Sequence, residues 1–223
     1  MNKLRSFVKN EMETLKNKRD YRRFRDRYKH TKRVLEWARR IHAVEGGDFT
    51  VIEAAVWFHD IGWEDGVPHA LVSARIAEEY LTNNYFCTEE ICNEETRNKI
   101  INAVKMHSYK ELPGDDMDIE TRVLIDADNL DELGATLVIM DSITDYINHP
   151  EESTYRNVYK RIYKYYSKLS GKDNEFKTNE GLRLYKDRME FLKSFLDNLE
   201  FELGLDMETE KMKIEKDFKS AIN

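Results

Sequence analysis

Glycine, proline and cysteine are scarce in this chain of 223 residues, which holds 9, 3 and 2 of them. So little glycine and proline leaves few turn signals for a succession of short strands. The two cysteines, Cys87 and Cys92, fit neither a disulfide framework nor a zinc motif. No apolar run is long enough to span a bilayer. The opening Met1-Asn2-Lys3-Leu4-Arg5 leads into charge with no apolar signal segment behind it, so the expected location is cytoplasmic. An excess of positive charge is missing too. Lysine and arginine number 36 against 43 aspartates and glutamates, a net charge of -7, which argues against a general nucleic-acid or membrane surface. A phosphate ligand stays compatible, because a bound cation supplies local positive charge. What is present, 40% apolar and 35% charged residues, fits a helical protein with a heavily solvated surface and enough chain for a real core.

Apolar periodicity predicts a series of helices. The first covers 4–19, with Leu4, Phe7, Val8, Met12 and Leu15 near one face. The run from Tyr21 to Lys29 is basic and aromatic; it hints at a polyanion, but such runs are more often a solvated helix face. His30 opens the next predicted helix and shares a stripe with Val34, Trp37 and Ile41, while His42 falls off it. Gly46-Gly47 stop that helix, and Asp48 or Thr50 caps the one after. This third helix is a short apolar run, 51–58, closed by His59-Asp60 and ended by Gly62. Ile52, Ala55, Val56 and His59 share a face, so His59 points to the core with Asp60 one step round. Further helices are expected from Pro68 to Leu81, from 88 to 107, from 119 to 134, from 135 to 146 as a core helix, and from 180 to 203. His69 begins one of them and His107 ends another facing inward. Tyr155, Tyr159, Tyr163, Tyr165 and Tyr166 read as packing. No repeat and no long linker is visible, so the whole chain, 1–223, is expected to be one domain, all-α.

The helix beginning at Ile119 carries Asp126, Asp128 and Asp131 among apolar residues. Burying carboxylates there is costly unless something pairs with them. A cation is the economical partner. The three do not share a clean face, so at least one turns inward.

His30, then His59-Asp60, then Asp126-Ala127-Asp128-Asn129-Leu130-Asp131 on a later helix, over 30–134, resembles the HD superfamily of metal-dependent phosphohydrolases. The segment 178–202 also looks like the last helix of a small bacterial and archaeal branch of it. The resemblance implies an HD-domain helical bundle with the helices from about 150 packed on its core. It implies one divalent metal held by His30, His59, Asp60 and a late aspartate, Asp128 by register with Asp126 the alternative. His69 and His107 would complete a second metal site. The acidic residue that related enzymes carry three positions after the pair is Trp63 here.

The chemistry expected of such a site is metal-assisted hydrolysis. The ligands suit manganese, magnesium, iron, cobalt, nickel or zinc alike. Asp60, Glu64 and Asp65 are the catalytic candidates, the last two as acceptors of a water proton. Arg33 and Lys105 are candidates to neutralise phosphate, with solvated surface charge an equal reading. The expected partner is a small phosphorylated substrate, a nucleotide foremost, and an oligomer is open. Two other readings stand beside it: a binuclear-iron oxygenase on the same fold, and a metal- or nucleotide-binding module without turnover.

Overall fold

The computed structural model describes residues 1–16, 26–83, 93–204 and 206–222. Among these residues the regular structure is helical; the one bridge pairs Glu64 with Val67 across a turn at Gly66 (φ 78°). No described helix is long and apolar enough to cross a membrane. The chain is therefore all-α, as its composition implies.

The residues group into two compact units. The first, Met1–Asp131 with Asn174–Leu182, contains α1 (Asn2–Lys16), α2 (Arg27–Glu45), α3 (Phe49–Phe58), α4 (His69–Thr82), α5 (Glu94–Met106) and α6 (Ile119–Asp131). α3 is its centre. Every residue from Val51 to Phe58 is buried, and α1, α2, α4, α5 and α6 all pack on it. A helix apolar all round belongs inside a bundle rather than on its surface. Its single charge, Glu53, is buried and bonded by Arg5 Nη2 at 2.5 Å.

Several helix starts follow short polar caps. Asp26 accepts from Lys29 N and starts α2 one turn before His30, earlier than expected. Asp48 accepts from Thr50 N and starts α3, while its own N–H donates to Glu120 Oε1 on α6 at 2.8 Å. Asn93 caps α5. The predicted start of that helix at 88, Cys87, Cys92 and most of the basic run 21–29 lie outside the described residues, although Arg27, Tyr28 and Lys29 enter α2.

Gly62 does not end α3. The helix stops at Phe58 with His59 as its C-cap, and the glycine is needed for another reason. A Cβ at residue 62 would lie 2.6 Å from Ser73 N and 2.7 Å from the Val72 carbonyl carbon, so α4 passes too close for any side chain. The Gly62 N–H also donates to Ser73 Oγ at 3.0 Å.

The second unit, Glu132–Asp173 with Arg183–Asn223, contains α7 (Ala135–Asn148), α8 (Tyr155–Leu169), most of α9 (Asn179–Glu202) and α10 (Glu208–Ile222). Tyr159, Ile162, Leu192, Leu196 and Met207 form its core, with Tyr163 and Tyr166 against it, whereas Tyr155 and Tyr165 are exposed. α7 departs from the expected core helix. Leu137 and Val138 pack on the core, but none of its residues is fully buried, and Ile139, Ile143, Tyr146 and Ile147 are exposed. α10 lies beyond the predicted elements.

Candidate metal centre

Two histidines are aimed by the ends of their helices. His59, at the end of α3, uses Nδ1 to donate to Val56 O at 2.7 Å. His107, at the end of α5, does the same with Val104 O at 2.6 Å. Each bond fixes the ring proton on Nδ1 and leaves the Nε2 lone pair free to act as a ligand. His30 on α2 is oriented by a carboxylate instead. Its Nδ1 is 2.7 Å from Asp131 Oδ2, and Arg33 grips that carboxylate with two bonds of 2.8 Å.

These restraints gather the donor atoms into two groups. His30 Nε2 lies 3.3 Å from His59 Nε2 and 3.3 Å from Asp128 Oδ1, and Asp128 Oδ1 is 3.8 Å from His59 Nε2. In the second group Asp60 Oδ1 is 3.3 Å from His69 Nε2, and His69 Nε2 is 3.1 Å from His107 Nε2. Ser108 Oγ lies 3.2 Å from the first of these nitrogens and 3.3 Å from the second. The ligand atoms within each group are all within 4.8 Å of one another. Asp60 borders both, since its Oδ2 is 3.8 Å from His30 Nε2. It was expected with His30, His59 and Asp128; its nearer histidine is His69.

This donor set fits a cation. Two imidazole lone pairs facing each other across 3.3 Å repel unless a positive charge lies between them. A proton can serve at His30: burial lowers its pKa, but hydrogen bonds to Asp128 and Asp131 outweigh that and raise it to about 10. Burial holds His59 below its ordinary range. Burial and the nearby His59 push His107 down to about 4. Neutral imidazole is the form that binds metals. Burial opposes ionisation of Asp60 and Asp128, yet both are held ionised, Asp60 by His59 and Arg27 and Asp128 by Lys110 and His30. Neutral His59 and His107 and the two carboxylates so placed suit a divalent ion, which would take the place of the His30 proton and which the donor types alone do not single out.

Asp126 faces elsewhere. It accepts from Lys177 N at 2.7 Å, Thr178 N at 2.8 Å and Thr178 Oγ1 at 2.7 Å, so it ties the start of α9 to α6. Burial pushes its carboxyl up to about 6 against the pull of those donors. A cation is therefore not the common partner of the three aspartates. Asp126 is satisfied by backbone and hydroxyl, Asp131 by His30 and Arg33, and Asp128 alone joins a ligand group.

Of the other expected residues, Glu64 is bonded to Arg75, Asp65 is exposed, and Lys105 is exposed on α5. Arg33 acts on Asp131. Sequence reasoning missed three groups beside the cluster. Arg27 Nη1 donates to Asp60 Oδ2 at 2.5 Å and lies 4.5 Å from the Trp63 ring centroid. Trp63 stacks on His69 at 5.2 Å. Lys110 Nζ donates to Asp128 Oδ2 at 3.0 Å. Helical spacing held a signal for two functional contacts: Arg27 is one turn before His30 and Asp131 one turn after Asp128.

Residues 27–133 match the family model described as HD domain. No curated protein matches the sequence. Solved structures do. An HD-superfamily hydrolase from Bacillus thuringiensis shares 20% identity over 92% of this chain and 97% of its own, with a TM-score of 0.66. A predicted HD superfamily hydrolase from an uncultured Thermotogales bacterium shares 20% over 91% and 92%, with a TM-score of 0.60. Bacillus subtilis YpgQ, in complex with ADP, shares 18% over 90% and 93%, with a TM-score of 0.59. At these identities the likeness carries the fold alone. The matched stretch, however, runs from the first residue of α2 past the last of α6 and includes every member of both ligand groups, and on that ground residues 27–133 are an HD domain.

Proposed function

We propose that this protein is a metal-dependent phosphohydrolase and that its substrate is a nucleotide or another small phosphoester or pyrophosphate. The observation that carries the reading is the pair of adjacent donor groups, with imidazole nitrogens 3.3 Å and 3.1 Å apart and ionised carboxylates beside them. His30, His59 and Asp128 would hold one divalent ion with Asp60 alongside. Asp60, His69 and His107 would hold a second. A divalent ion bound there supplies Lewis acidity towards a phosphoryl oxygen and an attacking water.

The chain's own residues do the rest. Val56 and Val104 carbonyls keep His59 and His107 in the ligating tautomer, and Asp131 does the same for His30. Asp60 is the one catalytic candidate that lies in the cluster, and its ionised state is the one a proton acceptor needs. A nucleotide is supported by the ADP present in the YpgQ structure.

The test is metal analysis of the purified protein, followed by a phosphate-release screen over nucleotides and small phosphoesters before chelation, after it, and after metal is restored. Hydrolysis should vanish with the metal and return with it. Turnover that survives complete chelation rules the mechanism out.

A further inference from the structure

Among the described residues three cations hold carboxylates in or beside the ligand groups, and they are not equivalent. Arg33 spends its planar fork on the buried Asp131 with two bonds. Arg27 is held between Asp60 and the face of Trp63. Lys110 is different. It sits in the turn between α5 and α6, three residues after His107, and a third of its side chain is exposed. Among the described residues Asp128 Oδ2 is its one hydrogen-bond acceptor. An ammonium has three donors, so two remain for another partner.

Asp128 is shared in a particular way. Its Oδ1 faces His30 and His59, and its Oδ2 faces Lys110. Lys110 therefore leaves the oxygen nearest the histidines free while standing on the same carboxylate. An anion that approaches the donor groups from the Asp128 side comes within reach of a partly exposed ammonium with unused donors.

We propose that Lys110 is a substrate-phosphate ligand, with Asp128 as the anchor that aims it. The proposal rests on the phosphohydrolase reading above and adds the residue that recognises the phosphoryl group. A compact ammonium at that point neutralises charge on phosphate oxygens. The competing role is purely structural, with Lys110 doing no more than settling the charge of Asp128. The two roles differ in what a substitution changes. A positioning role alters how Asp128 takes part in metal binding. A phosphate ligand alters anion affinity and leaves the metal in place.

The experiment is calorimetric titration of inorganic phosphate into manganese-loaded wild type, Lys110→Met and Lys110→Arg, with manganese stoichiometry and affinity measured on the same samples and folding checked by circular dichroism. In Lys110→Met the phosphate dissociation constant should rise at least about tenfold while manganese binding stays at the wild-type level. Lys110→Arg keeps the charge and should lie closer to wild type. Unchanged phosphate affinity in Lys110→Met overturns the proposal. So does a parallel loss of manganese, which assigns Lys110 to Asp128 alone, or a wild type that binds no phosphate. A wild type that binds phosphate through Lys110 but releases none from any substrate removes the hydrolase reading and leaves the ligand assignment standing.

Discussion

Asp126, Asp128 and Asp131 lie within two turns of α6 and do different work because their partners come from different parts of the chain. The aspartates and their buried setting were legible in the sequence, as were His30, His59, Asp60, His69 and His107. The partners were not. Asp126 is bonded by residues 51 and 52 positions away, and Asp131 meets His30 across 101 positions. Helical periodicity gives a direction, and what waits there is a matter of tertiary packing. Asp128→Ala should therefore remove a donor of the first group and weaken manganese affinity by about 100-fold or more, with little change in the urea midpoint. Asp126→Ala should retain manganese and destabilise the fold by roughly 2–4 kcal/mol, because two N–H groups and a hydroxyl lose their acceptor. Paired metal titrations and urea melts check this. Metal loss in Asp126→Ala at unchanged stability would reverse the two assignments.

Among the helices, most starts and stops were readable because they depend on local chemistry. Asp48 and the Gly46-Gly47 pair act where the sequence placed them. The exceptions have physical reasons. α10 escaped notice because much of its attachment is polar: Lys211 reaches Glu200 at 2.6 Å and Arg156 pairs with Glu210, contacts that apolar spacing does not register. α7 looked like core because its composition is apolar, yet its stripe of Ile139, Ile143 and Tyr146 is exposed. The sequence suggests a helix end at Gly62, while it is the approach of α4 that forbids a side chain there. Because α4 begins at His69, that contact also sets one member of the second donor group. Gly62→Ala should cost about 2 kcal/mol or more through forced displacement of α4. It should also lower the number of manganese ions bound at saturation, or their affinity, through His69. Urea melts with parallel metal titration are the check; a variant with wild-type stability would mean that α4 shifts freely.

Taken as a whole, the chain leaves the first unit after Asp131 and re-enters it at Asn174. The exit and the return are neighbours, since Asn129 Nδ2 donates to Glu175 O at 3.4 Å. Two acidic groups then fasten the returning segment of chain: Asp126 holds Lys177 and Thr178, and Glu45 Oε1 accepts from Glu180 N at 2.7 Å. Gly181 is drawn so close that a Cβ there would overlap the Asp126 carboxylate. The matched family stretch ends at residue 133, before any of this. The motif and the foldable piece thus have different borders. A polypeptide cut after Gly134 would contain every proposed ligand and still leave Asp126 without its Lys177 and Thr178 donors. Such a fragment should lose cooperative urea unfolding, whereas the same fragment joined by a short flexible linker to 174–182 should regain it; equal behaviour of the two would show the fastening to be dispensable. If it holds, the stretch 132–173 is a spacer as far as the first unit is concerned, a place where length and content can change while the ligand groups keep their positions.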